Sequence, residues 1–319
     1  QSVVVDATGT TRLDGTLSPG MLQDDGHRRG GALAIGAGAI RVVGAGEAAG
    51  SGTGLTLTQD DLTAFAAVDQ LRLTSYSSID FQGDVHLGTP ALKELVLAAA
   101  GLAGHGEAGE TARVAAQSVV FANPNPGSAV FAAGGPGSGG LEVSARQITF
   151  ADNVADAAQR TAETAGFLIR GFDRVALAAT SDLLFAGRGV TAIDNGGTTA
   201  VTIAAGRVAT VGTADHLFTA SGKLTLTGGS GGSAANGLGG ALELRGRAVD
   251  VAGRIETAAG QLTLAAPGTD AGTDHVTLRR GAQLAADGVK VAFADTAADA
   301  PAGRITLKAA SGNVEVDAG

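Results

Sequence analysis

The chain has 319 residues with 51 glycines, one tyrosine, no tryptophan, no cysteine and a formal net charge of −9. Without thiols, disulfide stapling, thiolate metal sites and thiol catalysis are excluded. With charges scattered singly and no basic run, nucleic acid is not an expected partner. Hydrophobic residues make up 44% of the chain and aromatics 3%. That is enough apolar matter to fold, but in small side chains, which suit thin stacked layers with little room for rings.

In chain order the recurring unit is a triad: apolar, variable, apolar. Period two means a strand with the outer residues inward and the middle one outward. After an opening strand at Ser2-Val3-Val4-Val5 and loops at 19–31 and 44–54 come Leu55-Thr56-Leu57, Leu71-Arg72-Leu73, Ile79-Asp80-Phe81, Val85-His86-Leu87 and Leu95-Val96-Leu97. Helical spacing is confined to Ala91–Ala103, read as strand because it contains a triad, and Val154–Thr164. Further loops are expected at 101–110, 123–140 and 152–165, with Leu141-Glu142-Val143 and Ile148-Thr149-Phe150 between the last two. Then follow Val175-Ala176-Leu177, Leu183-Leu184-Phe185, Val201-Thr202-Ile203 and Leu224-Thr225-Leu226. Beyond a loop at 228–240 the triads resume at Leu242, Val249, Leu262, Val276, Val289, Ile305 and Val314, with a loop at 294–303.

Spacing selects the fold. Successive intervals from Leu242 to Val249, Ile255 and Leu262 are six or seven positions, so three short strands return the pattern to its start. Gaps this short leave no room for a crossover helix. The expectation is all-β: a right-handed parallel β-helix, a three-faced solenoid of about 20–25 residues per coil and roughly thirteen to fifteen coils. Residues 1–319 form a single segment, and both ends are expected to be cut from a longer protein.

Candidate sites are few. Gly134–Gly140 and Gly228–Gly240 lack the lysine of a phosphate loop and the aspartate of a calcium nonapeptide. Asp24-Asp25 and Asp60-Asp61 are neighbours in solvated turns, not facing carboxylates. Of the histidines, only His86 and His105 are separated by close to one coil and so spaced for stacking. Arg245, Arg247 and Arg254 with Glu243 and Glu256 could line one face as a ladder of opposite charges, read as a solubilising surface, with a patch for acidic glycans as the alternative. No catalytic, metal or cofactor residue is assigned. The partner-binding candidate is the loop opening with Asn123, Pro124, Asn125 and Pro126.

Three stretches carry a resemblance: 169–177 (Ile-Arg-Gly-Phe-Asp-Arg-Val-Ala-Leu), 220–226 (Ala-Ser-Gly-Lys-Leu-Thr-Leu) and 251–264 from Val251 to Leu264. With their alanine and glycine corners and absent cysteine, they resemble the filamentous haemagglutinin family of two-partner-secretion exoproteins. That family carries Asn-Pro-Asn motifs in its N-terminal secretion domain. Here the motif occurs far from residue 1 and lacks the usual following Leu or Gly, which places the chain in the shaft. The resemblance implies export through an outer-membrane transporter to the bacterial surface. The expected function is a non-enzymatic shaft whose partners are the continuing polypeptide or other copies end to end. One alternative is an adhesin whose loops bind host glycans or proteins. The other is a β-helix polysaccharide lyase or hydrolase.

Overall fold

The computed structural model describes residues 2–7, 9, 20–22, 24, 28–47, 54–125, 137–153, 165–196, 199–228, 237–293 and 296–317. Among them the fold is almost entirely β. Twenty-three strands join in one sheet whose pairings are parallel, and the only α-helix is α1 (Gln59–Ala64). The parallel pairings fall into three ladders: short strands pair mostly with one two or three places away in sequence, and the long strands pair with the strand that follows them.

The first ladder stacks Leu33, Leu71, Leu95, Val119, Ile148, Leu183, Val208, Ile255 and Leu284 in register. Its first rung, Ser2–Ala7, pairs with Ala32–Ala37. The second ladder includes Ile40, Ile79, Leu102, Ile169 and Ile193 in one column, and Phe218, Leu244, Leu264 and Leu307 in another. The third stacks Val85, Ala112, Leu141, Val175, Val201, Leu224, Val249, Val276 and Val314. The columns explain the triads: the outer residues fill one continuous core, while middle residues such as Thr202, Asp250 and Glu315 lie on the other side. Each fully buried aliphatic contributes roughly 1.5–3 kcal/mol.

Rungs are evenly spaced along the sequence at Leu71, Leu95 and Val119. The interval lengthens from Ile148 to Leu183, and between Val208 and Ile255 it is about doubled. Long excursions therefore use chain that would otherwise make rungs. The first ladder has ten rungs among the described residues, fewer than the thirteen to fifteen coils expected.

Several expectations are corrected. Strands of three to five residues give way to runs of 22 (Phe172–Ile193) and 21 (Ala200–Ala220), which pass from one ladder to the next. Register shifts at Ala179/Asp182 and Ala186/Arg188 take up the bends. The loop placed at 101–110 begins with a fully buried strand, Gly101–Gly104, because glycine here lets the backbone of Leu168 approach closely. Val289-Lys290-Val291 joins no ladder: Val289–Phe293 pairs antiparallel with Thr296–Ala300. Rings do fit the core, since six of the ten phenylalanines are fully buried there. The helical spacing at Val154–Thr164, within the loop expected at 152–165, lies outside the described residues.

Close approach at one corner also fixes a residue type. Gly240, Gly260 and Gly303 each precede a strand of the second ladder, and Gln261 N–H and Arg304 N–H donate to the Gly240 and Gly260 carbonyls at 2.7 and 2.8 Å. A Cβ on Gly260 or Gly303 would penetrate the carbonyl of the rung below. Gly260→Ala is expected to lower stability by about 1–3 kcal/mol through overpacking. Gly9→Ala, where a Cβ would meet nothing within 4 Å, should stay within about 0.5 kcal/mol. Thermal melts of the two variants compare them directly, and equal melting temperatures would refute the corner packing.

Candidate functional site

Of the expected partner-binding residues, Asn123 is buried while Pro124 and Asn125 are exposed; Pro126 lies outside the described residues. Asn123 closes a corner: its Nδ2 donates to the Gly166 carbonyl at 2.6 Å, and its Oδ1 accepts from Asn125 N–H at 2.9 Å. Its side chain is thereby committed to holding the fold. Asn153 plays the same part after the next rung. It accepts from Val190 N–H at 2.8 Å and donates to Thr191 Oγ1 at 3.3 Å, and Thr191 Oγ1 lies 3.1 Å from His216 Nε2. This polar corner runs beside the phenylalanine stack, with the His216 ring 4.9 Å from that of Phe185. Gly189 leaves the imidazole its space, since a Cβ there would overlap its edge at Cε1.

His86 and His105, spaced by close to one coil but expected on an outward face and in a loop, are not brought together. His86 is in register with Arg113 on the third ladder, whereas His105 follows a strand of the second and lies 3.7 Å from Asp80. His27 and Asp25 lie outside the described residues, as do 134–136 and 229–236. Gly137 and Ser138 are hydrogen-bonded to the backbone at Gly104 and Gly106. Asp60 and Asp61 form the first turn of α1, where Asp61 and Thr58 complete a capping box. The sequence signal was present, as Thr58-Gln59-Asp60-Asp61 ahead of Leu62 is a helix start. Among the described residues no group of three or more His, Asp or Glu is placed to hold a metal ion, and no helix is long and apolar enough to cross a membrane.

The expected charge ladder divides between two ladders. Glu243 and Arg245 sit on the second and bond each other at 2.6 Å, while Arg254 and Glu256 sit on the first. Arg247, in the turn, faces Asp274 at 3.3 Å and Asp270 at 3.6 Å. Arg245, Arg247, Asp270 and Asp274 line an open groove with Ser221 and Pro267. Two guanidiniums thus meet three carboxylates, counting Glu243. An anionic glycan would have to displace those carboxylates first.

A residue that sequence reasoning missed holds a network of buried charges. Arg207 donates from Nε to Asp182 at 3.0 Å and from Nη1 to Glu256 at 2.8 Å. Ser181 Oγ donates to the other oxygen of Asp182, and Arg254 bonds the other oxygen of Glu256. Arg207 and Asp182 are each 3% exposed although both lie off the aliphatic core. This network can order a rung; it has no unpaired acid or base to offer a substrate.

Three successive rungs of the third ladder share Asp250. Arg279 grips it with two bonds of 2.9 and 3.0 Å, and Lys223 with one of 3.2 Å. Burial alone would raise this carboxyl's pKa, but those cations outweigh it and hold the pKa below the ordinary aspartate range. Asp274 is lowered too, chiefly by the backbone N–H of Asp270. A depressed folded-state value contributes stability above the unfolded value of about 3.9, lost as pH falls through the folded value. The melting-temperature gap between the parent and Asp250→Asn is therefore expected to be constant at neutral pH and to close on acidification below about pH 4. A gap unchanged down to about pH 2 would contradict the pairing.

No family model, curated protein or solved structure matches this chain.

Proposed function

We propose that the chain is a right-handed, three-faced parallel β-helix with a basic coil of about 20–25 residues. Its function is that of a non-enzymatic structural shaft in a large secreted protein of the bacterial surface, exported through an outer-membrane transporter. The observation that carries this reading is the set of three in-register ladders whose aliphatic columns run the length of the described residues. In such a stack each rung rests on its neighbours, so length can grow without a new core.

The last rung adds support. Ile305, Val314 and Val316 are 41, 45 and 68% exposed, while Leu262 and Val276, which pair with the first two, are fully buried and Leu278, which pairs with Val316, is partly buried. A further rung, of this polypeptide or of another copy, would cover them. Electron microscopy of the purified segment tests the reading. Ten rungs at about 4.8 Å each give rods of about 45–50 Å per copy, expected to join end to end. Single globular particles, or turnover of acidic polysaccharides, would count against a shaft.

A further inference from the structure

The two ends of the third ladder are built differently. Strand Val85–Gly88 opens this ladder, and among the described residues it has a strand partner on one side only, at 112–115. Its other edge faces α1. There the amide of Gln59 makes two bonds to a single residue: Nε2 donates to the His86 carbonyl at 3.1 Å, and His86 N–H donates to Oε1 at 3.1 Å. A parallel neighbour strand would supply one donor and one acceptor in the same way. Gln59 is fixed in this position because Thr58 and Asp61 cap the helix start, while Leu62 and Phe65 bury against the core. The second ladder is covered at this end as well. Leu55–Thr58 follows Ile40–Val43 in sequence but lies on its outer edge, opposite Ser78–Gln82, so the chain steps back over it.

We propose that Gln59 is an edge plug. It stands in for the missing neighbour of Val85–Gly88 and denies that edge to an extended strand of a second copy. Unpaired edges are templates for association, and satisfying both backbone groups of His86 removes this one. The inference rests on ladder geometry and holds whether or not the protein is a shaft.

The test uses the full chain with Gln59→Ala and Gln59→Met, the second keeping side-chain length without either bond. Amide exchange at His86 is expected to accelerate tenfold or more in both, with the amides of Leu71 and Leu95 unchanged. Sedimentation of both variants should show association beyond that of the parent at equal concentration. Unchanged exchange at His86 in Gln59→Ala, protection retained in Gln59→Met, or sedimentation identical to the parent would each overturn the plug.

Discussion

Phe150→Ala is expected to destabilise the protein by about 3–5 kcal/mol, among the largest effects of any single truncation. Phe150 is fully buried at the centre of a ring cluster. It stacks on Phe121 at 5.1 Å and Phe185 at 5.5 Å, meets Phe218 edge-on at 5.5 Å, and lies 6.5 Å from the His216 ring. Its removal forfeits burial and leaves a cavity that rungs hydrogen-bonded on both sides cannot close. Because contacts run mainly between adjacent rungs, lost amide protection should concentrate at the rungs of Phe121, Phe150 and Phe185. Ile305→Ala, on a last rung and 41% exposed, should cost about 1 kcal/mol or less. Urea unfolding and amide exchange measure both. Equal costs at the two sites would mean that stability is not set by burial within the stack.

The strands were legible because the code is local. Leu224-Thr225-Leu226 or Leu262-Thr263-Leu264 announces its inward and outward faces without reference to any other residue. The parallel arrangement was legible too, since the short gaps between triads leave no chain for another connection. Register was not legible. Val208 pairs with Ile255, and Leu102 with Ile169, across far more chain than one coil needs, so the count of rungs could not follow from a fixed spacing. Anything that depends on register was hidden with it: the phenylalanine stack, the corner of Asn153, Thr191 and His216, and the charges around Arg207. The alanine-rich stretch at 112–116 was missed for a different reason. Its inward residues are small, so the hydrophobic alternation that marks a strand is faint.

Arg207 gives the sharper test of register. Asp182 lies one rung before it and Glu256 on the rung after it, and only the ladder pairing brings the three together. Arg207→Met removes the cation that both carboxylates share. Glu256 keeps Arg254, but Asp182, 3% exposed, is left with a hydroxyl donor and no cation. Breaking a buried pair in this way costs about 3–5 kcal/mol, because the remaining charge stays desolvated. The double variant Asp182→Leu/Arg207→Met removes that charge together with its partner and should recover most of the loss, since well-packed apolar residues replace buried ion pairs at little cost. The two substitutions would then show a coupling well beyond the additivity of independent sites. Denaturant midpoints for the two single variants and the double variant decide it. If the double variant is as unstable as the sum of the singles, Asp182 and Arg207 do not interact, and the register that joins these rungs is wrong.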